Sequence, residues 1–263
     1  MSDMQGSNWT VYPDAAVSAF GFAFNEDGAL FVARGLEDRI VVYSGPTDSV
    51  GISFGSTGSG VNQFSFPTAV AFDSQGRIYI ADSENKRIVR MDDMQGNGWT
   101  TLDMSASLTG ANPVLDIAFD SSDRIYVVDR EARKLFRFDN ISDGTAESFG
   151  SSGTGVNKFE FPRDVWIDSQ DRIYIADTGN DRIVRINDMS GAGWVTLGVT
   201  GAGVGEFDSP SSICTDSQGR IYIAERNNDR VVRINDMTGA GWTAFGSQQL
   251  EEAFSSIDDL LIR

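Results

Sequence analysis

The fold of this chain follows from the stretch Phe161 to Gly198, FPRDVWIDSQDRIYIADTGNDRIVRINDMSGAGWVTLG, which recurs along the sequence. Its Arg-Ile-Tyr triplet starts at residues 77, 124, 172 and 220, at intervals of 47, 48 and 48 residues. The triplet Ala-Leu-Phe at residues 29–31 occupies the same position one repeat earlier. A repeat of this length is typical of stacked structural units, so it decides the fold.

Each repeat has the pattern of four short strands. In the quoted repeat we predict strands at 164–167, 172–176, 182–186 and 194–197, where β-branched and aromatic residues alternate with polar ones. The segments between them, DSQD, DTGN and NDMSGAG, are rich in the Asp, Asn and Gly residues that suit tight turns. Four antiparallel strands in about 48 residues indicate a propeller blade, because a β-sandwich gives no reason for a fixed period.

The sequence therefore predicts one all-β domain over residues 1–263, a β-propeller of four-stranded blades with six blade positions. The five complete blades are expected at about residues 16–56, 66–102, 112–150, 161–198 and 209–246. Residues 3–12 repeat the outer strand of a blade, and residues 254–263 begin an inner strand, so the two ends are expected to form the sixth blade. Two alternatives remain open: the chain is a piece of a longer protein, or residues 248–263 form an amphipathic helix.

Composition restricts the partners. The net charge is −17, from 38 acidic and 21 basic residues with no histidine, so the field of the molecule repels phosphate backbones and anionic lipids. We therefore expect no nucleic acid or membrane partner. The only cysteine, Cys214, is expected to be a buried apolar residue. The sequence shows no targeting or transmembrane segment, which predicts a soluble chain of unknown compartment.

The run Ala176-Asp-Thr-Gly-Asn-Asp-Arg-Ile-Val184 resembles the NHL-repeat family, as do residues 81–89 and 224–232. This family is named for an Asn-His-Leu motif in the second turn of the repeat. Its Asn corresponds to Asn85, Asn180 and Asn228 here, whereas Lys or Asp stands in place of the His, and the Leu is displaced. The resemblance implies a propeller, usually six-bladed, that mostly binds other molecules on its faces. Amidating-lyase-like relatives hold a metal through histidines, which this chain lacks. Gluconolactonase-like relatives hold a divalent cation with Glu, Asn and Asp, but no motif of theirs matches position by position.

Features that recur in every blade are expected to be structural. The basic residue that opens the third strand and the acid that ends the first strand belong to this class, and we expect the acid to accept backbone N–H groups in its turn. Trp166 stands alone in an inner strand and is expected to fill a gap in the core.

Functional residues are expected where the blades differ. The inner strands of three blade positions begin with an acid, and the turns between the second and third strands carry further acids. If these strand and turn ends share one face, the acids surround the mouth of the channel. The candidate binding residues are Asp116, Arg163, Asp164, Asp259, Asp82, Asp129, Asp177 and Glu225.

Two arrangements would make this acidic mouth stable. The acids could be solvated and paired with Arg163, Arg130 and Arg226, or they could hold a cation. An oxygen-only donor set without His or thiolate suits calcium, although no cofactor is required by the sequence. We predict a non-catalytic binding or assembly scaffold that presents a variable acidic face to a protein or small molecule. The alternatives are a cation-dependent hydrolase of gluconolactonase type and an architectural domain of a larger surface or filament protein.

Overall fold

The computed structural model describes residues 19–246, except residues 46, 47, 49, 109 and 111–113. These residues form five sheets of four strands each, and neighbouring strands in each sheet follow one another in the chain. The strands are β1 Ala19–Phe24, β2 Leu30–Arg34, β3 Arg39–Tyr43, β4 Ile52–Phe54, β5 Pro67–Phe72, β6 Ile78–Asp82, β7 Arg87–Met91, β8 Thr100–Asp103, β9 Val114–Phe119, β10 Ile125–Asp129, β11 Lys134–Phe138, β12 Glu147–Phe149, β13 Asp164–Ile167, β14 Ile173–Asp177, β15 Arg182–Ile186, β16 Val195–Leu197, β17 Pro210–Thr215, β18 Ile221–Glu225, β19 Arg230–Ile234 and β20 Thr243–Gly246.

Each sheet is one blade, and together they form a β-propeller fold with five four-stranded blades. We call the turns within a blade first, second and third in chain order. The segments that lead into blades two, four and five are connector two (residues 55–66), connector four (150–161) and connector five (198–209). In an up-and-down sheet the second turn and the connector lie at the same end of the blade, which we call the connector end. Short 3-10 turns occupy Gly35–Glu37 and Thr178–Asn180 in two of the second turns.

The first turns of blades two to five are held by their acids, as the sequence predicts, whereas Asn25 takes this place in blade one. In blade four, Asp168 accepts the N–H groups of Gln170 and Arg172 at 2.9 and 3.0 Å, and the Arg172 side chain donates to it at 2.6 Å. Tyr174 donates its hydroxyl to the same carboxylate at 3.2 Å. The acid therefore closes the turn and fixes the start of the second strand.

Alternation along the strands produces two apolar faces in each blade. In β14, Tyr174 and Ala176 point towards blade five and pack with Ile213 and Ile223 of that blade. Trp166 joins the same layer and donates its indole N–H to Thr215 at 2.9 Å, so its predicted role in core filling is confirmed. Blades bury both faces in this way, and for this reason every residue of β14 is buried.

The described residues fall into two compact units. The first unit contains blades one and two with most of blade three, and the second contains blades four and five with the remainder of blade three, including Arg133–Leu135. The five predicted blades are confirmed. Residues 3–12 and 254–263, on which the predicted sixth blade depends, and residues 248–263, the alternative helix, lie outside the described residues. The single-domain organisation stays a prediction.

Across the described ranges, no helix combines the length and the apolar character that a membrane span needs.

Candidate functional site

The acids of the second turns are buried. Asp82 of blade two is fully inaccessible, and its carboxylate accepts the N–H of Ser65 at 2.7 Å, the amide of Asn85 at 2.8 Å and Nε of Arg87 at 2.7 Å. Burial raises the pKa of Asp82 above its ordinary value, and these hydrogen bonds act in the opposite direction. The same acid, Asn and Arg arrangement recurs as Asp177, Asn180 and Arg182 in blade four and as Glu225, Asn228 and Arg230 in blade five.

The arginine of this arrangement also holds the connector. Arg182 donates from its two terminal nitrogens to the carbonyl oxygens of Thr154 and Lys158 at 2.7 and 2.8 Å. Its guanidinium group lies over the Trp194 ring, 5.6 Å from the ring centre. In blades two, four and five the structural role predicted for the repeated basic residue is confirmed, because its partners are an acid of its own blade and the backbone of the connector.

A buried phenylalanine anchors each connector. Phe64, Phe159 and Phe207 are fully buried and lie against Trp99, Trp194 and Trp242 of their own blades, with ring centres 5.2 to 5.7 Å apart. Parallel β-bridges join residues 57 and 64, 152 and 159, and 200 and 207, so the glycine-rich residues between them form a closed loop. These connectors are therefore ordered surfaces and not linkers.

The residues predicted at the start of the inner strands differ in how deeply they are buried. Asp164 is buried, and its carboxylate accepts the N–H of Ile213 in the inner strand of blade five at 2.5 Å. Arg163 is half-buried, and its backbone N–H donates to the carbonyl of Ala176 at 3.0 Å. Asp116 is half-buried in β9. Asp259 lies outside the described residues.

Asp129 completes the predicted set. It is fully buried at the end of β10 and accepts the N–H of Ala132 at 2.8 Å. Thus Asp82, Asp129, Asp177 and Glu225 are all enclosed within their second turns, and a binding role for them and for the inner-strand residues stays a prediction.

The described residues do not fit a bound cation. No group of three His, Cys, Asp or Glu side chains among them is arranged to hold a metal ion. The carboxylates of Asp82, Asp177 and Glu225 already accept hydrogen bonds from arginine and asparagine, which occupy the lone pairs that calcium would need.

Exposed large apolar side chains occur in blade one, at Phe20, Leu36, Val50 and Ile52, and in the connectors. From residue 55 to residue 246, the large apolar residues that the structure shows as exposed are Val61, Val156, Val199 and Val204, all in connectors. Val61, Val156 and Val204 occupy equivalent positions and are 67, 67 and 78 % exposed. These valines were not among the residues predicted from the sequence, although the Gly-x-Gly-Val motif that recurs in the three connectors could have indicated them.

Comparison with known proteins agrees with the repeat. A family model described as NHL repeat matches residues 64–91 and 207–234, each of which runs from the connector phenylalanine to the end of the third strand. The chain contains NHL repeats. No curated protein sequence matches this NHL-repeat chain.

Solved structures share the NHL-like propeller fold at low sequence identity. Virginiamycin B lyase from Staphylococcus aureus is 14 % identical with a TM-score of 0.65, and the match covers 90 % of this chain and 71 % of the lyase. A gluconolactonase from Xanthomonas campestris is 16 % identical with a TM-score of 0.66, over 91 % of this chain and 79 % of that one. A chain in a nidogen/laminin complex is 17 % identical with a TM-score of 0.67, over 89 % and 82 %.

The prediction that the chain is not an enzyme is wrong, because the similar structures include a lyase and a gluconolactonase. The absence of histidine excludes only the reactions that need an imidazole group. Asp, Glu, Arg and Tyr side chains can still act in catalysis. At these identities the likeness shows the fold alone, and it assigns no reaction to this chain.

Proposed function

We propose that this propeller binds a partner protein, and that connectors four and five form the docking surface. The observation that carries the proposal is the exposure of Val156, Val199 and Val204, which are 67, 62 and 78 % accessible. All three lie in the second unit and at the connector ends of its blades. Covering one such valine contributes up to about 1.5 kcal/mol to association.

The position of the valines argues against a role in folding. Phe159 and Phe207 stand three residues after Val156 and Val204 and are fully buried, so the connectors have their own anchors. Single exposed apolar residues are normal on protein surfaces, and blade one carries four of them, but all those of the second unit's described residues lie in connectors. Such confinement is typical of an interaction surface.

The surface is also rigid, which favours binding. Arg182 and Arg230 donate to backbone carbonyls of connectors four and five, so little conformational freedom remains to be lost on association. Of the predicted binding residues, Arg163 lies two residues after the end of connector four, and we include it in the surface. A chain in a nidogen/laminin complex has the same fold, so a propeller of this kind can form a protein interface.

Affinity capture tests this proposal. Wild-type protein and the double variant Val156→Ser, Val204→Ser would be immobilised and exposed to a lysate of the source organism. The control is Gln170→Ala, Gln218→Ala, two exposed residues in the first turns at the other end of the same blades. We expect at least one protein that wild type and control retain and the valine variant loses. Identical retention by all three samples would contradict the proposal.

We also propose that the two chain ends supply a sixth blade. The face of blade one that does not contact blade two carries Leu30, Val32, Val41 and Tyr43, all buried. In blade five, Tyr222, Ala224 and Val231 are likewise buried on the face equivalent to the one that blade four packs against blade five. Each face has the apolar character of a surface that packs against another blade. The repeats in residues 3–12 and 254–263 match the outer and inner strands that such a blade needs.

A further inference from the structure

Two of the three connectors close their glycine loop with a side-chain oxygen. In connector two, Gly60 donates its N–H to Oε1 of Gln63 at 3.0 Å. In connector five, Gly203 donates its N–H to Oε2 of Glu206 at 2.8 Å. The glycine N–H of this loop therefore donates its hydrogen bond to a carboxylate or carboxamide oxygen.

Connector four has no side-chain oxygen at this position. Lys158 stands at the position of Gln63 and Glu206, and an ammonium group cannot accept a hydrogen bond. Its side chain folds over the loop, because a Cβ placed on Gly153 would lie 2.9 Å from Cδ and 3.7 Å from Nζ of Lys158. Lys158 and Gly155 are both exposed, and within the described part of the chain Lys158 has no ion pair.

The charges around connector four also differ from those at the equivalent positions. Connector two and its surroundings contribute one negative charge, Asp38, and connector five contributes three, from Asp181, Glu206 and Asp208. Connector four and its surroundings carry charged residues at the same set of positions, and their charges sum to +1. They are Arg133, Lys158, Glu160, Arg163 and Asp164.

The two acids at connector four, Glu160 within it and Asp164 at the start of β13, are already engaged. Glu160 pairs with Nε of Arg133 at 2.7 Å and accepts the Ser152 hydroxyl at 3.0 Å, and these contacts lower its pKa. Asp164 is buried and bonded to the N–H of Ile213. The positive charge of Lys158 therefore faces solvent without a local acid to balance it, in a protein whose net charge is −17.

We propose that connector four binds a carboxylate from an acidic segment of the partner protein. The Lys158 side chain turns away from the loop, and the carboxylate then accepts the N–H of Gly155, pairs with the Lys158 ammonium group and takes the place that the Glu206 carboxylate fills in connector five. An apolar residue of the same segment packs on Val156, two residues from Lys158. This inference rests on the proposed protein-binding function and names the chemistry of the partner.

A carboxylate fits better than a phosphate. The chain itself binds a carboxylate to the same N–H in connector five, which shows that the loop has the geometry for it. A polyphosphate chain such as RNA would meet the repulsion of the whole acidic molecule, whereas a short acidic segment meets only the local charge.

NMR titration of the isotope-labelled full chain tests this assignment. The probes are acetate, inorganic phosphate, a peptide of alternating glutamate and leucine, and the same peptide with glutamine in place of glutamate. The signals are the amides of Gly60, Gly155 and Gly203 and the methyl groups of Val156 and Val204. The variants are Lys158→Gln, which reproduces the Gln63 arrangement and is compatible with the fold, and Glu206→Lys.

We expect acetate and the glutamate peptide to shift the Gly155 amide but not Gly60 or Gly203. The shift should be lost in Lys158→Gln, and Glu206→Lys should make Gly203 responsive. A Gly155 signal that stays unmoved, or that moves equally in Lys158→Gln, would overturn the proposal, as would a larger shift with phosphate than with acetate.

The peptides separate this inference from the proposed function. If both peptides shift the Val156 and Val204 methyl groups while Gly155 stays unmoved, the docking surface is supported and the carboxylate site is wrong. If acetate shifts Gly155 and no peptide moves the valine methyl groups, the carboxylate site is supported and the apolar docking surface is wrong.

Discussion

Asp177 shows how a single buried carboxylate organises the connector end of a blade. It is fully inaccessible, and burial raises its pKa, which means that the fold disfavours its charged form. Arg182, Asn180 and the N–H of Glu160 offset this cost through hydrogen bonds at 2.7 to 2.8 Å. The acid and the arginine therefore depend on each other, and the connector depends on both.

Arg182→Ala should destabilise the fold by about 3 to 5 kcal/mol. The substitution leaves the Asp177 charge buried without its cation, which is the costly way to break a buried pair. It also removes the hydrogen bonds to the carbonyls of Thr154 and Lys158. Urea unfolding of wild type and variant measures the loss. The matched control is Lys158→Ala, an exposed basic residue for which we expect a change within about 0.5 kcal/mol. Equal stabilities for both variants would contradict the stabilising role of Arg182 between Asp177 and connector four.

The ion pair of Glu160 predicts a pH dependence. Arg133 lowers the pKa of Glu160 in the fold, so the pair stabilises the protein above the ordinary pKa of this group and the contribution is lost as pH falls through the folded pKa. We expect Glu160→Gln to be less stable than wild type at neutral pH, and the difference to shrink as the pH falls below the ordinary pKa of this group. Thermal unfolding from pH 3 to 7 measures the difference. A gap that stays constant over this range would show that the charge of Glu160 contributes nothing.

At the scale of elements, the strands could be predicted because their signals are local. In blade four the predicted strands 164–167 and 182–186 coincide with β13 and β15, and the other two differ by one residue at their ends. The Asp and Gly residues of the turns and the alternation of apolar residues lie within a few residues of each strand. The repeat then allowed one blade to predict the others.

The candidate site could not be predicted to the same extent, because its environment depends on distant parts of the chain. The Asp177 partner Asn180 also donates to the carbonyl of Gly153, 27 residues earlier in the sequence. Whether a second-turn acid faces solvent or the connector is decided by that long-range contact. The exposed valines were missed for the opposite reason, since a valine in a β-rich sequence is normally assigned to the core.

The connector and the outer strand should lose stability together. Trp194→Ala removes the ring that packs against Phe159 and lies under Arg182, and we expect a loss of about 2 to 3 kcal/mol, less than for a fully buried tryptophan. Hydrogen exchange should rise in residues 150–160 and stay unchanged in the first turn, residues 168–171. Increased exchange confined to residues 194–197 would contradict the coupling of connector and outer strand.

At the scale of the whole molecule, the composition restricts chemistry less than it restricts partners. The net charge of −17 opposes polyanions throughout the surface, and the local charge at connector four is the exception on which the partner proposal depends. The lack of histidine misled the prediction about catalysis, because similar propellers include a lyase and a gluconolactonase. Neither the fold nor the composition therefore determines the function, which depends on particular sites.

Removal of residues 1–12 tests the proposed sixth blade. The proposed outer strand contains Trp9, which aligns with Trp99, Trp194 and Trp242. Its removal takes away this ring together with the hydrogen bonds of the strand, so the loss should exceed the value of about 2 to 3 kcal/mol expected for Trp194→Ala. Differential scanning calorimetry of the full and shortened chains measures the change. An unaltered melting temperature would show that residues 1–12 do not form an outer strand of the propeller.

The most direct test of the docking surface is a hydrogen-exchange footprint of the protein with the partner that affinity capture identifies. We expect slower exchange in connectors four and five, residues 150–161 and 198–209, when the partner is bound. Residues 168–172 and 216–220, in the first turns at the other end of the same blades, should exchange at unchanged rates. Protection of the first turns with no change in the connectors would contradict the central claim.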